Sequence, residues 1–175
     1  MKTKIVLLLL TFVFISISCE KDTVDNITVK EYVNLLKSGN YNLQNSNGFP
    51  DLPAFEPTDI PDLLSYANDK QIITNFPHNT LSSYFEPNCR LGVYVLWTIE
   101  SIRLVSNDSK NLFLGRFPSL NPIIGIKEIC SYDTVDNDTI HQATVQAYTN
   151  WWNSNSDFEQ IKGINPLEDT IYGWL

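Results

Sequence analysis

"RLGVYVLWTIESIR", residues 90–103, is the stretch whose reading decides the fold. Val93, Tyr94, Val95, Leu96, Trp97, Ile99 and Ile102 leave scarcely a polar side, the pattern of an element enclosed by protein on every face. The run "VYVLW" alone also suits a strand, because β-branched and aromatic side chains pack well on a pleated surface. Fourteen residues, however, exceed an ordinary strand, and Glu100 and Arg103 stand one helical turn apart, where opposite charges meet. The reading is a buried central helix.

Working outward, the flanks repeat helical signals. Thr28 and Glu31 form a capping box, Val29, Tyr32, Val33 and Leu36 recur at helical spacing, and Gly39 supplies the stop. Residues 40–57 are rich in Asn, Gly and Pro and read as a long loop. Thr58 is the expected cap of a second helix, with Pro61 in its first turn and Ile60, Leu63, Leu64 and Ala67 on its apolar face. Residues 71–88 stay open between an irregular loop and a short helix over 80–85. Asn121 and Pro122 start a further helix carrying Ile123, Ile126 and Cys130 on one side. Thr139 with Gln142 opens another, with Ile140, Ala143, Ala147 and Trp151 as its inner stripe. Ser156 with Glu159 opens a short helix that Gly163 ends, and residues 164–175 form an irregular tail folded back through Ile164, Leu167, Tyr172 and Trp174. The sum is one all-α domain over 28–175 with five or six helices, as a compact bundle or a short HEAT-like array of helical hairpins.

"AYTNWWNSN" (147–155) followed by "FEQIKGINPLEDTIYGW" (158–174) resembles the end segment of small helical lipoproteins of unknown function from Bacteroidota, some of which look like HEAT-type arrays. The resemblance brings no activity with it.

The N-terminus agrees with that resemblance. Lys2 and Lys4 precede an apolar run, Ile5 to Ile17, that is too short to span a bilayer and reads as a secretory signal. Ser16, Ser18 and Cys19 resemble a bacterial lipobox, with Ser16 where that motif has Leu. The resemblance implies a signal peptide over 1–18 and a Cys19 carrying diacylglycerol on sulfur and an acyl chain on its amine. It also implies a tether over 19–27 that holds the domain to the bilayer. Glu20, Lys21 and Asp22 are similar to the surface-export signal of Bacteroidota lipoproteins, which implies the outer membrane, at the cell surface or the periplasmic face.

Charge narrows the partners. Cleavage before Cys19 removes 18 of 175 residues and two lysines, leaving 157 residues and a net charge of −10 against −8 for the full chain. Such an acidic chain repels phosphate backbones, and no basic cluster interrupts it, so nucleic acid is excluded as a partner. Cys89 and Cys130 remain in an oxidising compartment. Bonded, they would close a loop of about forty residues and contribute roughly 4 kcal/mol; unbonded, they are two buried thiols.

Candidate chemistry is sparse. His78 and His141 are the neutral-pH bases, with Ser82, Ser83 and Cys89 as nucleophile types, and no spacing joins them. No zinc, phosphate-loop or esterase motif is present, so no cofactor, metal or catalytic residue is expected. Asp133, Asp136 and Asp138 lack the turn glycine and closing Glu of a calcium loop and read as a solvated segment. Asp-Thr-aliphatic occurs four times, at Thr23, Thr134, Thr139 and Thr170, and is similar to the O-glycosylation site of exported Bacteroidota proteins. Trp152 shares a helix face with Val145 and Tyr148, about 100° from the inner stripe. That places Tyr148 and Trp152, with His78 in "NFPHN", as a candidate binding surface. The expected function is a membrane-anchored scaffold docking an envelope protein. A glycan binder using the same aromatics is the alternative, and a hydrolase around His78 ranks third.

Overall fold

The computed structural model describes residues 27–79, 81–82, 86–108, 112, 115–128 and 138–175. In chain order these form α1 (Val29–Ser38), a 3-10 turn (Pro57–Asp59), α2 (Ile60–Leu64), β1 (Ile72–Ile73) and β2 (Cys89–Arg90). There follow α3 (Leu91–Ser106), β3 (Ile124–Ile126), α4 (Asp138–Asn153), α5 (Phe158–Ile161) and β4 (Tyr172–Trp174).

α3 is the centre. Nearly all of its sixteen residues are buried, Glu100 and Arg103 included. Each large apolar side chain enclosed this way contributes roughly 1.5–3 kcal/mol. Trp97 stacks on Phe117 at 5.5 Å and donates its indole N–H to Ser119 Oγ at 2.8 Å. α1 is tied to it where the buried Tyr32 and Thr98 hydroxyls bond at 2.7 Å. α1 forms as its sequence dictates: the Thr28–Glu31 capping box is complete and Gly39 closes the helix at φ 69°. The turn after α2 packs so closely on the start of α3 that a Cβ on Gly92 would lie 2.1 Å from the Ala67 carbonyl oxygen. Only glycine fits there.

The all-α expectation is overturned by two small antiparallel sheets, which make this a mixed α/β domain and neither a helical bundle nor a HEAT-like array. β1 pairs with β2, Ile72 opposite Arg90 and Ile73 opposite Cys89. β3 pairs with β4, Ile124 opposite Trp174, Gly125 opposite Gly173 and Ile126 opposite Tyr172. The helix expected after Asn121 is therefore a strand, and the irregular tail supplies its partner. Leu175 N donates to Ile123 O at 3.0 Å and Lys127 N to Ile171 O at 2.9 Å, extending the ladder at both ends. β-branched residues flanking a glycine favour this extended form once a partner strand exists. Lys127 fixes the preceding turn, its ammonium donating to the carbonyls of Leu167, Glu168 and Thr170 at 2.7–3.1 Å.

Local caps also shift. Thr58 lies inside the 3-10 turn, and Asp157 rather than Ser156 caps α5, its carboxylate accepting Glu159 N at 3.0 Å. Thr139 lies within the first turn of α4 rather than ahead of it.

Candidate functional site

α4 is buried along Ile140, His141, Thr144, Val145, Tyr148 and Trp151. This arc is rotated by roughly 80° from the predicted Ile140–Ala143–Ala147–Trp151 stripe, with which it shares Ile140 and Trp151. Larger side chains win the inward face because they remove more apolar surface from water. The rotation corrects the expected surface: Tyr148 is wholly buried and offers nothing to a ligand.

Instead Tyr148 completes a polar network. Arg103 grips Glu100 with two hydrogen bonds, Nε to Oε2 at 3.0 Å and Nη2 to Oε1 at 2.6 Å. Tyr148 donates to Glu100 Oε2 at 2.8 Å, and Trp174 Nε1 donates to the Tyr148 hydroxyl at 2.9 Å. Burial, with the Glu100 carboxylate beside it, holds the Tyr148 pKa well above that of an ordinary tyrosine. Burial opposes charge on Arg103, but the bonds and charge of Glu100 outweigh it and raise the guanidinium pKa. The network joins α3, α4 and β4.

The same helices fix α5. Trp151 Nε1 donates to Ile161 O at 2.9 Å, and Arg103 Nη1 to Lys162 O at 3.0 Å. α4 ends where Ser154 turns its hydroxyl onto Trp151 O at 2.7 Å. Asn155 Oδ1 then accepts Asp157 N at 3.1 Å, and Asn155 Nδ2 donates to Gln160 Oε1 at 2.6 Å. This short corner, held by the bonds of Ser154 and Asn155, carries two half-buried rings. Trp152 and Phe158 lie 6.2 Å apart with planes tilted by 47°. Between them opens a cleft of about 300 Å³ lined by Trp152, Asn153, Asn155, Ser156 and Phe158.

The four tryptophans differ in how they use their N–H. Trp97, Trp151 and Trp174 each donate to a protein acceptor. Trp152, half-buried at the cleft, has no acceptor among the described residues, and its Nε1 is not a buried orphan. The donor faces solvent. Asn153 and Ser156, both exposed, likewise make no side-chain bond to the described residues. The contact of Trp152 with Trp151 at 6.0 Å places its inner edge on the core.

His78 is elsewhere. It lines a second cleft of about 190 Å³ with Tyr41, Pro50, Asn75, Phe76 and Pro77, sharing no residue with the first. Tyr41 OH is committed to Asp51 O and Asn75 Nδ2 to Gly39 O, each at 2.6 Å. His141 is buried between α4 and the turn that follows α2, with Nε2 2.8 Å from Ala67 O and Nδ1 without a partner among the described residues. Ser82 is half-buried. Asp138 accepts from Lys70 Nζ at 2.8 Å and from Arg90 Nη1, which pull its pKa down to about 2. The thiol of Cys89 is buried, 3.7 Å from Pro122 O. Thr139 is exposed, whereas Thr170 Oγ1 donates to Leu167 O at 2.8 Å and accepts Tyr172 N at 3.1 Å. Cys19, Thr23, Ser83, Cys130, Asp133, Thr134 and Asp136 lie outside the described residues. Phe158 and the polar lining Asn153, Asn155 and Ser156 were not anticipated; their signal was the run of short polar residues between two aromatics, 153–157.

Fold and cleft define a small mixed α/β domain with an aromatic cleft at the α4–α5 corner. The model of a domain of unknown function, DUF4943, matches residues 23–175, and the chain belongs to that family. No curated protein and no solved structure matches it.

Proposed function

We propose that the protein is a lipid-anchored binding module of the bacterial cell envelope, which acts by holding a ligand in the α4–α5 cleft rather than by transforming it. The anchor rests on the signal-like residues 1–18 and Cys19, and on the likeness to small Bacteroidota lipoproteins. The location is the outer membrane, at the cell surface or its periplasmic face. One observation carries the binding role: Trp152 keeps an indole N–H open to solvent beside Phe158, while the other three tryptophans spend theirs inside the protein. Burying part of a large ring while leaving its donor unbonded suits an incoming acceptor. A disulfide between Cys89 and Cys130 belongs to the same proposal, its two electrons and two protons passing to a disulfide oxidant of the envelope, as does O-glycosylation, for which Thr139 stands exposed.

The test uses the full-length chain. Detergent partition and intact mass read the lipid on Cys19, and an unlipidated chain in the aqueous phase would remove the anchor. Immobilised protein is then challenged with detergent-solubilised envelope material. Retention lost in Trp152→Ala is the expected result; equal retention by both forms would remove the cleft as the working surface.

An envelope protein partner is the second reading, favoured by Phe49, which is 64% exposed next to Pro50 at the His78 cleft. Phe49→Asp would abolish capture of that partner and leave the Trp152-dependent retention intact.

A further inference from the structure

We propose that the α4–α5 cleft takes one neutral pyranose ring of a glycan, stacked on Trp152 with its hydroxyls held by the Trp152 indole N–H, Asn153 and Ser156. The inference rests on the cleft being the working surface and names what fills it.

Three observations select this class. First, the polar groups on offer are uncharged: an indole N–H, an amide and a hydroxyl, all without partners among the described residues. An amide donates and accepts, and so does a hydroxyl, which matches the alternating donors and acceptors of sugar hydroxyls. Second, no cation is among the described residues lining the cleft; Asp157 and Glu159 stand next to it in the chain, the latter bonded to Lys162 at 2.6 Å. With a chain net charge of −8, an anionic ligand meets repulsion. Third, the rings are tilted by 47°, so a flat aromatic ligand can stack on one only. A puckered saturated ring presents polarised C–H bonds to the electron-rich indole face and its edge to Phe158. A helical peptide is the wrong shape, because it needs anchors over two turns, whereas this cleft is built from residues 152–158.

The site is also held in advance. Asn155, Asp157 and Gln160 bond one another, and Trp151 and Arg103 pin the end of α5, so little ordering is left for the ligand to impose.

The experiment titrates the full-length protein in micelles with neutral oligosaccharides of glucose, mannose, galactose and N-acetylglucosamine, and with polygalacturonate and dextran sulfate. Saturation-transfer NMR and calorimetry read binding. The expected result is binding of at least one neutral oligosaccharide, weakened about tenfold or more by Trp152→Ala, and no binding of the polyanions. Trp152→Phe, which keeps a ring and removes the N–H, gives a smaller loss. The double variant Asn153→Ala/Ser156→Ala alters only exposed groups without internal partners, so its loss of binding cannot be assigned to unfolding. Binding of no neutral saccharide, binding unchanged in these variants, or preference for the polyanions would overturn the proposal. Treating the retained envelope material with periodate or protease separates the two levels. Trp152-dependent retention that resists periodate and yields to protease ends the glycan inference and leaves the binding module standing; no Trp152-dependent retention ends both.

Discussion

Trp151 and Trp152 are neighbours in the chain and opposites in the structure. Trp151 is 5% exposed and bonds Ile161 O; Trp152 stands half-buried with its N–H in solvent. Trp152 shares the face of buried Val145 and Tyr148, but it sits one residue before α4 ends at Asn153, so neighbouring indoles serve a core and a cleft. The comparison extends to the network and the cleft: every polar group of the Glu100–Arg103–Tyr148–Trp174 network has a partner, while the side chains of Trp152, Asn153 and Ser156 have none among the described residues. A satisfied buried network rigidifies a fold. Unsatisfied donors at a solvent-facing cleft are available for recognition.

The largest way to break this contrast is on the inner side. Glu100→Ala strands Arg103 as an unpaired buried charge and leaves the Tyr148 hydroxyl without its acceptor, and should destabilise by about 3–5 kcal/mol in urea titration. Trp151→Phe keeps the ring and removes the N–H, leaving Ile161 O without its donor and loosening α5; a loss of about 1–3 kcal/mol is expected. If Trp152→Phe cost as much in the same assay, the distinction between the two indoles would collapse. Acidification gives a smaller effect. Burial, helped by the charges of Arg90 and Lys70, depresses the His141 pKa below the ordinary 6.5, against the pull of its bond to Ala67 O. The unfolded chain therefore takes the proton first, so His141's contribution is complete above pH 6.5 and declines as pH falls below it. His141→Gln should flatten that part of the stability curve. Asp138 acts in the same direction in a more acid window: its contribution, present above the normal carboxylate range, is lost as pH falls from there towards about 2. The smallest effect belongs to the outer side: Asn153→Ala/Ser156→Ala should change stability by no more than about 0.5 kcal/mol.

How much of the site was legible follows from where its information lies. Trp152 could be singled out because it fell off the predicted stripe. Tyr148 was placed beside it for the same reason, and wrongly, because the stripe itself was rotated. Ala143 and Ala147 fit an apolar template as well as Val145 and Tyr148 do; only the volume of the pocket facing α4 separates them. The Glu100–Arg103 pair was readable from its spacing, but not its recruitment of Tyr148 and Trp174, 48 and 74 residues beyond Glu100.

By itself the sequence determined the elements that close their own hydrogen bonds within a few residues. These are α1 between its capping box and Gly39, the long apolar α3, the existence of α4, and the acidic charge with its lipobox-like start. Tertiary structure alone decided the two sheets, the inward face of α4 and the indole left open to solvent. A helix satisfies each N–H four residues back, so its signal is local. A three-residue strand such as Ile124–Ile126 is stable only against a partner nearly fifty residues away, and that pairing exists only after the chain has closed around α3.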